Sequence, residues 1–89
     1  MKIKSGFVIE QVGSSYLAVA TGERAASFRA LVRLNSTGAF LWGLLSEGDI
    51  TRDELVDKML EEYDVERPLA ERDIDNFISM LEKAEILNA

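Results

Sequence analysis

The chain has 89 residues, no cysteine, no histidine, and a formal net charge of −6 from 16 acidic and 10 basic side chains. Those counts exclude disulfides, ordinary zinc or iron–sulfur sites, and any serine or cysteine nucleophile activated by histidine. The acidic balance disfavours phosphate backbones and anionic membranes, while 47% hydrophobic residues let one small domain, residues 1–89, hold by packing alone.

Phe7 to Val12 reads as a first strand, with Phe7 and Ile9 on one face. Gly13-Ser14-Ser15 turns the chain, because glycine tolerates positive φ. Tyr16 to Ala20 is a second strand, apolar on both faces, which suits the middle of a three-stranded sheet. Thr21 to Ser27 is a connection, and Phe28 returns the chain to the core. Arg29-Ala30-Leu31-Val32-Arg33-Leu34 alternates polar and apolar at its ends, the pattern of a third, half-buried strand. Adjacent elements pair in order, so the simplest sheet is an antiparallel meander. The third strand then keeps a free edge, whose N–H and C=O groups must be protected or used. Arg29 and Arg33 can protect it. Which alternate residues point outward is not given by the pattern.

Asn35 or Ser36 can cap the next helix. Phe40, Leu41, Trp42, Leu44 and Leu45 make most of that helix apolar, so it belongs inside the domain. The remaining strip of Gly38, Ala39, Gly43 and Ser46 is small enough for another backbone to approach, and glycine's cost of about 1 kcal/mol in a helix suggests a packing reason. Thr51-Arg52-Asp53-Glu54 forms a capping box. Leu55, Val56, Met59, Leu60 and Tyr63 follow as an amphipathic stripe, with Asp57, Lys58, Glu61 and Glu62 solvated opposite. Pro68 sits in the first turn of a third helix, where its missing N–H is tolerated. Ile74, Phe77, Ile78 and Leu81 are its core stripe. One shoulder holds Leu69, Asp73, Asn76 and Met80; the other, with Glu71, Asp75 and Glu82, is acidic. Leu87 tucks back against the core.

The residues Leu34-Asn35-x-Thr37-Gly38-Ala39-Phe40-x-Trp42 resemble the signature of PqqD-like domains, also called RiPP recognition elements. The resemblance extends to Asp49-Ile50-Thr51 and to Leu81 through Leu87, with Glu85 standing where many relatives have glycine. It implies a winged-helix-like α+β fold, in which a three-stranded antiparallel sheet is followed by three helices. It further implies that the free strand edge lies beside the third helix, and that the domain holds the leader peptide of a ribosomally made precursor for a modifying enzyme, often radical-SAM.

The chemistry that is absent agrees with a binding role. The carboxylates are spread over helix surfaces, and neither glycine-rich phosphate-loop spacing occurs. No enzymatic activity and no cofactor or metal are expected. A DNA-binding winged helix needs cations on its third helix, which instead carries Glu71, Asp73, Asp75, Glu82 and Glu85 against Arg72 and Lys83. Peptide recognition by strand addition fits better. The expected site is Ala30, Leu31, Val32, Arg33 and Leu34 on the edge, with Leu69, Asp73, Asn76, Phe77 and Met80 on the helix. The expected partners are a leader peptide and its enzyme, with no nucleic acid or membrane, and the protein is expected to be a monomer or weak homodimer. The alternative is a regulatory or scaffold domain that binds another protein. No apolar run approaches the roughly 20 residues of a membrane span. Met1-Lys2-Ile3-Lys4-Ser5 lacks a signal peptide's apolar stretch. Together with the absence of cysteine, which fits a reducing compartment, these features make the cytoplasm the expected location.

Overall fold

The computed structural model describes residues 1–22 and 32–88. Strand β1 (Lys2–Ile3) precedes a hairpin of β2 (Phe7–Val12) and β3 (Ser15–Ala20). Gly13 opens the two-residue turn at φ 64°, the positive φ that a type II′ hairpin needs at its first central position. Strand β4 (Val32–Leu34) pairs antiparallel with β3, so the order β2-β3-β4 is the expected meander. Phe28 and the Arg29 to Leu31 half of that strand, together with most of the connection before them, lie outside the described residues.

Helix α1 (Ser36–Glu47) starts at Asn35, whose side-chain oxygen accepts from the Gly38 N–H at 2.8 Å. Helix α2 (Arg52–Glu62) has the complete capping box: the Glu54 N–H donates to Thr51 Oγ1 and the Thr51 N–H to Glu54 Oε1. Helix α3 (Arg67–Lys83) carries Pro68 in its first turn. Leu41 and Leu45 from α1, Leu55 and Val56 from α2, and Ile74 and Leu81 from α3 are fully buried. Each is worth roughly 1.5–3 kcal/mol relative to exposure. The core therefore lies where the three helices meet the inner face of the sheet, which Phe7, Ala18, Val32 and Leu34 line. Ala70, also fully buried, extends the α3 stripe one turn earlier than the apolar pattern shows.

Two features depart from the sequence expectation. The chain ends pair with each other: β1 and β5 (Leu87–Asn88) form a two-stranded sheet, extended by a bond from the Lys4 N–H to the Ile86 carbonyl at 2.8 Å. The small-residue strip of α1 also divides. A side chain at Gly38 would come within 3.3 Å of Leu34 Cβ and Asn35 Oδ1, whereas one at Gly43 would meet no described atom within 4 Å. Only Gly38 has the packing reason.

Helix α3 ends in a Schellman motif. The Ile86 N–H reaches the Leu81 carbonyl and the Glu85 N–H the Glu82 carbonyl, both at 3.0 Å. That geometry requires a left-handed residue at the first position beyond the cap, and Glu85 takes it at φ 60°. Ile86 is thereby returned to the core, fully buried. A side chain in this region costs about 1–2 kcal/mol, partly offset by glycine's greater freedom when unfolded. Glu85→Gly should therefore stabilise the protein by about 1 kcal/mol and raise Tm by roughly 4–8 °C. A lowered Tm in a thermal melt would contradict this reading of the turn.

Candidate functional site

The register of the sheet decides which backbone groups of β4 are available. Val12 and Ser15 flank the two-residue turn and so form a hydrogen-bonded pair; the alternation continues through Glu10 with Leu17 and Val8 with Val19. It reaches Gly6 and Thr21, where the Thr21 N–H donates to the Gly6 carbonyl at 2.8 Å. Odd-numbered residues of β3 thus bond to β2, and the even ones turn to β4. Tyr16 with Leu34 and Ala18 with Val32 are then the bonded pairs across β3 and β4, while Leu17 and Arg33 lie opposite without bonding. The N–H and C=O of Arg33 therefore point out of the sheet, along an edge that has no partner strand among the described residues.

Beside that edge is an open cleft of about 330 Å³, within the size range of small ligand pockets. One wall is the end of β4, Arg33 and Leu34, continuing through Asn35 into Thr37, Gly38 and Leu41 of α1. The other is α3, which presents Asp73, Asn76, Phe77 and Met80. Their spacing of three, one and three residues puts them on one helix face. The floor is apolar: Leu34, Leu41 and Phe77 are buried, and Met80 is half-buried against the core. Asp73, exposed, brings a negative charge to the cleft from the α3 wall. Asn76 and Thr37 supply hydrogen-bond donors and acceptors. Gly38 keeps the cleft open where the strand runs into the helix, since a larger residue there would press on Leu34.

Of the residues expected from sequence, Arg33, Leu34, Asp73, Asn76, Phe77 and Met80 line this cleft together. Val32 does not: its side chain is buried in the core, 6% exposed. Leu69 does not either, being 44% exposed a turn before the cleft begins. Ala30 and Leu31 lie outside the described residues. Asn35, Thr37, Gly38 and Leu41 join the cleft without having been expected there, although the motif from Leu34 to Trp42 contains all four.

On the other, acidic shoulder of α3, Asp75 and Glu71 face a cation from α2. Arg52, the first residue of α2, donates from Nε to Asp75 Oδ1 at 2.6 Å and from Nη2 to Asp75 Oδ2 at 2.9 Å. Glu71 lies 3.6 Å from the same guanidinium. The bidentate contact holds the Asp75 carboxyl below its ordinary pKa. A depressed carboxyl stabilises the folded state above its unfolded pKa, and that contribution is lost as pH falls through the folded value. This shoulder ties α2 to α3 and leaves the cleft face as the open side of the helix.

A family model described as coenzyme PQQ synthesis protein D (PqqD) matches residues 21–87. The chain belongs to the PqqD family. No curated protein matches it. A solved structure of "TbiB1 in Complex with the TbiA(beta) Leader Peptide" is 29% identical, with a TM-score of 0.76 over 100% of this chain and 96% of that one. A second, "Lasso peptide synthetase B1 complexed with the leader peptide", has the same fold at 23% identity, with a TM-score of 0.71 over 99% of this chain and 96% of that one. In this PqqD-family chain the motif residues have identifiable tasks. Asn35 caps α1, Gly38 permits the close approach of Leu34, Leu41 floors the cleft, and Trp42 fills the core.

Proposed function

We propose that this domain, of winged-helix-like build, binds the leader segment of a ribosomally made precursor peptide as an added antiparallel strand along β4. It then presents that peptide to a modifying enzyme, radical-SAM on the family resemblance. The observation that carries the reading is the outward N–H and C=O of Arg33 beside a cleft with an apolar floor and a polar rim. Backbone bonds to an exposed edge give affinity with little sequence demand, and an adjacent pocket gives selectivity. The TbiB1 structure, bound to a leader peptide over a chain of nearly the same length, supports the same use here. The domain's task is to hold and orient the peptide, with the chemistry performed by the enzyme it serves.

Calorimetric titration with leader peptides from precursors encoded beside the gene tests the reading. Saturable binding to one of them, retained when the peptide's modified core is removed, is the expected result. Pull-down of the neighbouring enzymes with the leader complex then identifies the enzyme class, with a lasso-type or other non-radical enzyme as the contrary outcome. Sedimentation of the free protein should show a monomer or weak homodimer.

Nucleic acid should not bind. Helix α3 carries Glu71, Asp73, Asp75 and Glu82 against Arg67, Arg72 and Lys83, and the chain's net charge is −6. Fluorescence anisotropy with random duplex DNA at physiological salt should stay flat. Micromolar affinity that weakens steeply with salt would contradict this.

A further inference from the structure

We infer that the bound strand carries an acidic side chain at the position paired with Arg33, between two residues whose side chains enter the cleft. This deepens the leader-peptide reading and rests on it. Side chains alternate along β4: Val32 and Leu34 are buried in the core, whereas Arg33 is exposed on the outer face of the sheet. Residues directly opposite in an antiparallel pair share a face, with Cβ atoms about 4.5–5.5 Å apart. The peptide residue that exchanges both backbone bonds with Arg33 therefore stands beside its guanidinium on the outer face. The residues before and after it lean the other way, over Leu34, Phe77 and Met80.

The charge pattern of the outer face selects what stands there. Glu10 lies opposite Leu17, and Leu17 opposite Arg33, so one row crosses the sheet as acid, apolar, base, and then the open edge. Arg52 and Arg67 each hold a carboxylate, but Arg33 has none within ion-pair distance among the described residues. A carboxylate on the incoming strand completes the row, and a lysine would meet a like charge. The protein's net charge of −6 does not override this local preference, because exposed charges more than about 8 Å away are largely screened at physiological salt. Asp73 borders the cleft from the opposite wall and so acts on the flanking side chains.

Display of random dodecapeptides against the protein and against Arg33→Glu tests the inference. Arg33 is exposed, so the variant should fold, which a thermal melt checks. The native protein should enrich an apolar–acidic–apolar triplet. Arg33→Glu should enrich lysine or arginine at the middle position and keep the apolar flanks. With one enriched peptide, exchanging its acidic residue for lysine should weaken binding to the native protein roughly three- to tenfold, attraction being lost and repulsion gained. The order of the two peptides should reverse on the variant. Enrichment of the apolar flanks with no charge preference between them, in either protein, would overturn the inference and leave leader binding standing. Failure of both proteins to enrich any peptide would overturn both.

Discussion

Arg33→Pro should lower leader-peptide affinity by roughly 2–3 kcal/mol, about 30- to 150-fold, while the protein stays folded. Proline removes the outward N–H that the added strand must accept from and leaves a carbonyl of the peptide unpartnered. Its ring also occupies the edge where the strand docks. The fold is spared because that N–H makes no bond to β3; Arg33 and Leu17 are a non-bonded pair, and proline is tolerated on edge strands. Val32→Pro should behave in the opposite way. The Val32 N–H is spent on Ala18, and its side chain is 6% exposed in the core, so that variant should lose stability first. Titration calorimetry and thermal melts of both variants separate the two effects, with Arg33→Ala as the control for the lost charge. Folded Arg33→Pro with undiminished affinity would count against strand addition.

Met80→Glu should weaken the same binding by about 1–3 kcal/mol, since it places an unpaired charge in a largely apolar contact. Met80 is half-buried between the cleft and the core, one turn from the buried Phe77, so some loss of stability should accompany the loss of affinity. Glu82→Lys is the matched control. Glu82 is exposed and lies outside the cleft, and its substitution should change affinity little. A Met80→Glu variant that melts early but binds fully would assign Met80 to the core alone. A larger loss with Glu82→Lys would move the peptide to the other shoulder.

Signals that arise within a few residues were legible in the sequence. Asn35 as a cap, the Thr51–Glu54 box, the meander and the α3 stripe all depend on local hydrogen bonding or on short hydrophobic periods, and the structure has each of them. The cleft face of α3 was legible for the same reason: Asp73, Asn76 and Met80 follow from helical geometry. What escaped depends on contacts between distant segments. Strands β1 and β5 have two residues each, too few to show any alternation, and they exist because the chain ends pair. Thr37, Gly38 and Leu41 read as the first turns of a buried helix, and become cleft wall only when α3 packs across from them. Arg52 gave no sign of reaching Asp75, 23 residues away. Glu85 stood out only as a departure from a glycine pattern, and the Schellman geometry supplies the reason.

The most direct test of strand addition at β4 is amide hydrogen exchange at Arg33, measured by NMR with and without a saturating leader peptide. In the free protein the Val32 and Leu34 amides should already be protected by their bonds to β3, while the Arg33 amide, on the open edge, exchanges fast. On binding, the Arg33 amide should slow by orders of magnitude, with little change at its two neighbours. An Arg33 amide that still exchanges freely in the saturated complex would show that the peptide is held some other way.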